Sequence, residues 1–311
     1  MIKLNSFAIT SAFATGSKAS MKKGYNYETA RLIEAAQFYY DDFFYIDPVK
    51  ISVDLVRDHS LRVFYKGQDI SGLSTLMIRS TKGIEIPTKA LVNSLYHCGC
   101  DVVDPTSRFS GAKASKMMTT FHRHQSSVGS DSFIAFDLNG AERIIREADK
   151  SNGFPLILKP LHGKGGRKIL KLIDSTEALN AITQHFIDKP NEAVLLQSFE
   201  DIIKEYRVLM IHGHCLGVVE KMREDATVAA NAAQGIIFQA TNQPDIENYV
   251  KQHVSDLGLL GVDVAETRDN RYIIIEANRA PEWEAFDYAV GKNIAEDMIR
   301  IIATKTALSQ K

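Results

Sequence analysis

Three oxygen-bearing side chains near the C-terminus carry the clearest chemical signal: Asp263, Glu276 and Asn278. Asp263 lies in Gly261-Val262-Asp263-Val264, and Glu276 and Asn278 close the run Ile273-Ile274-Ile275-Glu276-Ala277-Asn278. Both stretches read as strands, with Arg268-Asp269-Asn270-Arg271 as the turn between them. Residues two apart on a strand share a face, so Glu276 and Asn278 project together. With Asp263 on the neighbouring strand, three hard oxygen donors would converge. Mg²⁺ takes a few such donors and completes its shell with water and nucleotide phosphates. The alternative is a set of solvated turn residues. The flanks oppose it, because a carboxylate among Val262, Val264, Ile274 and Ile275 needs a partner.

Several cations and a glycine loop lie upstream. Gly163, Lys164, Gly165 and Gly166 fall between two apolar strands, followed by Arg167 and Lys168. The loop is not a P-loop, which needs Gly-Lys-Ser/Thr before a helix, and it is not a G-x-G-x-x-G fingerprint, because position 168 is Lys. Its backbone N–H groups and cations suit phosphates, although a plain surface hairpin would look the same. Lys159 lies at the end of the strand Phe154–Pro160, just before this loop, and either aims a point charge at a phosphate or stands in solvent. Arg207 shares a strand face with Glu205, and it either grips an anion bidentately or pairs across the sheet. Lys221, in Glu220-Lys221-Met222-Arg223, is equally open between the two uses, and Asn231 sits in a loop of small residues that suits close approach of a substrate or a plain connection.

The elements that must position these residues alternate between strand and helix patterns. An N-terminal α/β unit spans 1–109, with a helix pattern over Tyr27–Tyr40, a hairpin signal at Lys66-Gly67 and a second helix over Thr88–Cys98. A central unit, 110–192, has helices over Lys113–His124, Gly140–Ser151 and Ser175–Ile187 around the glycine loop. A C-terminal unit, 193–311, opens on the strand Ala193–Gln197. It continues through a hairpin at His212-Gly213-His214 and a helix over Pro244–Leu257 that precedes the Asp263 strand, and ends in a helix over Asn293–Thr304.

Composition narrows the classes. The 311 residues are 45% hydrophobic and 24% charged with a formal net charge of -1, which is ordinary for a globular protein. No basic tract points to nucleic acid or an anionic membrane, no apolar run is long enough to span a bilayer, and Met1–Thr10 lacks the basic start of a signal peptide. The three cysteines, Cys98, Cys100 and Cys215, fit a reducing cytoplasm, and Cys98-Gly99-Cys100 has neither zinc-knuckle nor redox spacing. Neither a G-x-S-x-G elbow nor a convincing Cys/His pair is present to act as a nucleophilic centre.

Taken in order, Lys113, Leu158-Lys159-Pro160 with its glycine loop, Leu195-Leu196-Gln197-Ser198-Phe199, Glu205-Tyr206-Arg207, Gly261-Val262-Asp263-Val264 and Ile275-Glu276-Ala277-Asn278-Arg279-Ala280-Pro281 resemble an ATP-grasp ligase of the RimK-like type. The resemblance spans the whole chain and implies an α/β (α+β) ATP-grasp fold preceded by a Rossmann-like N-terminal domain. It implies that Lys113 and Lys159 contact ATP phosphates, that Gly163–Gly166 form a flap over them, and that Gln197, Ser198 and Phe199 form the hinge at adenine with Glu205 near the ribose. Asp263, Glu276 and Asn278 would hold Mg²⁺, with Mn²⁺ as a substitute. Arg207, Lys221, Asn231 and Arg279 would face the γ-phosphate, the acyl phosphate or the acceptor. The implied reaction activates a small carboxylate as an acyl phosphate and passes it to an amine or peptide, in a protein that is a dimer or tetramer. Side-chain crosslinking of a peptide and a non-catalytic nucleotide-binding module are the alternatives. Two departures stand out. Ala229 occupies a position where the ribosomal-protein glutamate ligases carry arginine, so glutamate as substrate does not follow. Trp283, the only tryptophan, lies between Glu282 and Glu284 beside the metal motif, where it either shapes an acceptor site or packs as a buried aromatic.

Overall fold

The structure is a computed structural model that describes residues 4–10, 26–57, 60–79, 81, 83–104, 128–161, 169–223, 236–254 and 258–309. The expected sites Lys113, Gly163, Lys164, Gly165, Gly166 and Asn231, and the helix expected over Lys113–His124, lie outside the described residues.

The N-terminal part comprises β1 (Leu4–Thr10), α1 (Tyr27–Ala36), β2 (Tyr40–Tyr45), β3 (Ile51–Leu55), β4 (Leu61–Tyr65), β5 (Gln68–Asp69), β6 (Thr75–Ile78), α2 (Glu85–His97) and β7 (Asp101–Val102). Strands β2-β1-β6-β7 form a parallel sheet in that order, and β3-β4-β5 form a small antiparallel one. The helices between parallel strands are the crossovers such a sheet requires. Asn26 begins α1 by accepting the Thr29 N–H. The turn of the β4–β5 hairpin has Lys66 and Gly67 both at positive φ, as a tight hairpin demands.

The central part comprises β8 (Ser132–Ala135), α3 (Leu138–Lys150), β9 (Leu156–Pro160), β10 (Leu170–Leu172), α4 (Ser175–Asp188) and β11 (Val194–Ser198). The four strands make an antiparallel sheet in the order β10-β9-β11-β8. Asp137 and Asp174 cap α3 and α4 through their side chains, and the buried stripe Ala141, Ile144, Ile145 and Ala148 of α3 packs with Ala178 and Ile182 of α4 on that sheet. Strand β11, expected to open the C-terminal unit, hydrogen-bonds between β9 and β8 instead.

The C-terminal part comprises β12 (Ile202–Ile211), β13 (His214–Arg223), β14 (Ile236–Thr241), α5 (Pro244–His253), β15 (Leu259–Thr267), β16 (Tyr272–Asn278), α6 (Glu284–Val290) and α7 (Ile294–Ser309). Its five strands are antiparallel in the order β14-β13-β12-β15-β16. One face carries Tyr206, Val208, Met210, Val262 and Val264 against Ile246 and Val250 of α5. The other face carries Leu209, Ile211, Val219 and Leu259. These residues share a core with Phe7 and Ile9 of β1, Leu32 of α1, Trp283, Phe286, and Met298, Ile299 and Ile302 of α7. The N-terminal parallel sheet and the C-terminal sheet therefore meet in one hydrophobic cluster.

A buried polar chain reinforces that junction. Thr306 of α7 donates to Asp101 at 2.6 Å and lies 3.3 Å from the hydroxyl of Thr75, which accepts from Tyr40. Both threonines are fully buried, so losing a member strands the rest. Thr306→Val, nearly isosteric, is expected to lower unfolding stability by about 1–3 kcal/mol, read as a lower denaturant midpoint with unchanged slope. An unaltered midpoint would show that the chain contributes nothing net.

Candidate active site

Strand parity and register assemble the site on the C-terminal sheet. Arg207 on β12 stands opposite Asp263 on β15, and Asp263 stands opposite Glu276 on β16. Asn278 is opposite Gly261, one step along the same face. Lys221, two residues beyond Val219 on β13, reaches the same Asp263. Register slips between Asp263/Val264, making Ile275 the extra residue of a β-bulge. Without the bulge, Ile274 would share a face with Glu276. With it, Ile274 packs in the apolar cluster under α5 while Glu276 is exposed on the opposite side.

Asp263 is 5% exposed and both its oxygens are engaged. Arg207 Nε donates to Oδ1, Arg207 Nη2 donates to Oδ2 at 3.0 Å, and Lys221 Nζ lies 2.6 Å from Oδ2. Glu205 lies 4.0 Å from Lys221. Burial pulls the Arg207 guanidinium down. Its hydrogen bond to Asp263 and the charges of Asp263, Glu276 and Glu282 outweigh that and hold it above its ordinary value. Asn278 Nδ2 donates to Glu276 Oε1 at 2.6 Å. Among the described residues no group of three Asp, Glu, His or Cys side chains converges as a metal site. The convergent donors are two carboxylates and an amide. This hard-oxygen set suits Mg²⁺, with Asp263 already shared between two cations.

A second constellation lies at the end of the central sheet. Lys159, paired in register with Leu195, donates to Gln197 Oε1 at 2.6 Å, and Gln197 Nε2 donates to Ser132 Oγ at 2.7 Å. Lys159 is thus tied to a buried amide and is not a solvent-facing strand end. The backbone N–H groups of Ser198 and Phe199 donate to the carbonyls of Asp131 and Pro155. The Lys171 ammonium sits 3.7 Å from the centroid of the Phe199 ring. Lys171 gave no sequence signal, since an exposed strand lysine has no motif of its own.

Arg279 is drawn away toward the N-terminal sheet, where its Nε donates to Asp104 Oδ2 at 2.6 Å. Trp283 is 1% exposed, so of its two readings the buried aromatic is the one observed. Its backbone N–H donates to Glu28 of α1, and the Arg79 guanidinium stacks 4.6 Å from its ring centroid while donating to the Pro281 carbonyl at 2.7 Å. Neither Arg79 nor Glu28 was visible as a site residue: each meets this segment only across more than 200 positions of sequence. Gly261 is constrained by the same segment, because a Cβ there would lie 2.7 Å from Pro281 Cβ.

The family model for the prokaryotic glutathione synthetase ATP-grasp domain matches residues 121–268. A probable alpha-L-glutamate ligase of Syntrophotalea carbinolica is 22% identical over 90% of this chain and 92% of its own length. The ATP-grasp ligase PsnB, complexed with minimal precursor, Mg and ADP, superimposes with a TM-score of 0.69 at 15% identity, covering 98% of this chain and 99% of its own. A RimK domain ATP-grasp protein from Sphaerobacter thermophilus superimposes with a TM-score of 0.60 at 18% identity, over 94% and 98% of the two chains. No helix among the described residues is long and apolar enough to cross a membrane.

Burial separates the two carboxylates energetically. Asp263→Ala leaves Arg207 and Lys221 buried without their partner and is expected to cost about 3–5 kcal/mol, whereas the exposed Glu276→Ala is expected to stay within about 0.5 kcal/mol. Urea denaturation of both variants tests this, and equal losses would count against Asp263 as the buried anchor.

Proposed function

We propose that this chain, an ATP-grasp protein of the RimK-like ligase type, joins a carboxylate to an amine at the expense of ATP. The observation that carries the reading is the grouping of Arg207, Lys221, Asp263, Glu276 and Asn278 on one face of the C-terminal sheet. In the proposed reaction a substrate carboxylate oxygen attacks the γ-phosphorus of ATP, and the bond to the bridging oxygen breaks to release ADP. The amine nitrogen then attacks the acyl carbon, loses a proton and expels phosphate, leaving an amide.

Such a reaction needs positioning and charge neutralisation and no protein nucleophile. Arg207 and Lys221 supply fixed positive charge beside the reacting phosphoryl and acyl groups. Asp263 holds both in place. Lys159, steadied by Gln197, is a point charge for the nucleotide phosphates, and Gln197, Ser198, Phe199 and Glu205 border the base and ribose. Lys113, Asn231 and the Gly163–Gly166 loop keep their proposed roles at the phosphates and acceptor. Asp263, Glu276 and Asn278 would hold Mg²⁺, or Mn²⁺ in its place, and the ion would neutralise phosphate charge when bound. Arg279 is assigned to orienting the segment after Asn278 through its pairing with Asp104.

The substrate is proposed as an amino acid or a peptide, on the strength of the glutamate-ligase relatives and of a structural neighbour described with a precursor. An ADP-release screen pairing amino acids, small carboxylates and glutamate-containing peptides with amines tests the reading. The expected result is ADP formed in proportion to amide product. Hydrolysis without amide, or no ADP with any pair, would contradict it. In the active pairing, Glu276→Ala is expected to reduce turnover by about 10²–10³-fold. Lys159→Met is expected to weaken ATP binding by about tenfold, or ~1.4 kcal/mol, in calorimetry.

A further inference from the structure

Glu282 stands in a segment pinned on both sides. Arg79 Nη2 donates to the Pro281 carbonyl at 2.7 Å, and the Trp283 backbone N–H donates to Glu28 Oε1 at 3.1 Å. Pro281 and Trp283 are buried, while Glu282 between them is exposed. Both pinning contacts are buried, so breaking either is costly, and the Glu282 carboxylate is offered to solvent from a fixed base. Among the described residues no hydrogen bond or ion pair engages that carboxylate, and its exposure leaves room for an incoming group. The segment also meets the reaction site. The side chains of Pro281 and Arg207 converge over Gly261, where a Cβ would lie 2.7 Å from Pro281 Cβ and 3.5 Å from Arg207 Cδ. Three carboxylates act electrostatically on the Arg207 guanidinium: Asp263, Glu276 and Glu282. Asp263 and Glu276 belong to the proposed metal donor set, so Glu282 is the one of the three left for an organic partner. Its charge also reaches Arg79, but there Glu28 has the stronger influence.

The amine half of the proposed reaction has no partner in the residues assigned so far. Arg207, Lys221 and Lys159 are cations, which suit phosphates and carboxylates and repel an ammonium. A primary amine is largely protonated near neutral pH. It needs an anion to hold it and a base to take the proton it sheds before it can attack. From this arrangement we infer that Glu282 is a catalytic residue that receives the ammonium of the acceptor beside Arg207. The inference rests on the ligase reading and names the acceptor class, a primary amine that arrives as its cation. Glu282 takes one proton from the bound ammonium. The lone pair so exposed attacks the acyl carbon, the C–N bond forms and the C–O bond to phosphate breaks. The second proton leaves the nitrogen on the released phosphate, and Glu282 returns its own proton to water.

Hydroxylamine separates this role from a supporting one, because it is uncharged near neutral pH and attacks acyl phosphates without a base. The full-length protein and Glu282→Gln, an isosteric change at an exposed position, are given ATP and the carboxylate of the active pair from the ADP-release screen. Each then receives either the amine of that pair or hydroxylamine. In Glu282→Gln, kcat/KM for the amine is expected to fall about 10²-fold. Hydroxamate formation, the KM for ATP and the melting temperature are expected to stay at wild-type values, and Glu282→Asp is expected to fall between on the amine. Wild-type amide synthesis by Glu282→Gln would overturn the inference. Equal losses of amide and hydroxamate would also overturn it and reduce Glu282 to a support for Arg207 or the Pro281 segment. A wild-type protein that releases no ADP and forms neither amide nor hydroxamate would remove the ligase reading itself, and this inference with it.

Discussion

A carboxylate cannot stay ionised inside a sheet without compensation, and Asp263 is placed where compensation comes from two sides at once. Val262 and Val264 turn into the apolar layer under α5, so Asp263 is forced onto the opposite face. There Arg207 takes it with a two-pronged contact and Lys221 closes on the same oxygen. The result is a fixed triad in which neither cation can wander. A reaction that moves charge between phosphoryl and acyl oxygens benefits from cations already in position, since no reorganisation is then needed as charge develops. The same tie makes Asp263 structural as well as functional, which is why its removal is costlier than that of Glu276.

The donor pair Glu276 and Asn278 depends on a different support. It ends β16, and the chain immediately beyond is held by the N-terminal sheet at successive points. Asp104 takes Arg279, Arg79 takes the Pro281 carbonyl, and Glu28 takes the Trp283 N–H. These contacts are backed by the hydrophobic cluster that β1, α1 and α7 share with β12 and β13. The N-terminal part therefore shapes the site without supplying any of the convergent oxygens. A movement of that part relative to the C-terminal sheet would be transmitted first to the segment following Asn278.

Period-two alternation and oxygen-bearing residues at strand ends made much of this readable beforehand. Arg207, Asp263, Glu276 and Asn278 declared themselves because charged and amide groups among Val and Ile runs need an explanation. What alternation cannot supply is pairing. Strand β11 reads equally well as the first strand of one sheet or the last of another, and only its hydrogen bonds to β9 and β8 decide. Strands β3 and β8 were missed because they are short and mixed in polarity, and β14 was missed although it opens on the apolar run Ile236-Ile237-Phe238. Helix α6 follows the tryptophan with only seven residues, too few for a periodic signal. Arg79 left no trace because its meaning arises entirely from Trp283 and Pro281, some two hundred positions away.

The bulge at Ile275 shows how one irregularity reconciles two demands on a single strand. Ile274 is needed in the apolar layer beneath α5, and Glu276 is needed beside Asp263. In an unbroken strand these residues, two apart, would share a face, and one demand would fail. Inserting Ile275 as the extra residue of the bulge reverses the parity between them, so Glu276 and Asn278 keep their common face while Ile274 keeps its core position. Gly261 completes the adjustment from the partner strand. Opposite Asn278, it leaves the space that Pro281 fills. A side chain there would lift the segment gripped by Arg79 and, with it, the end of the strand that carries the oxygens.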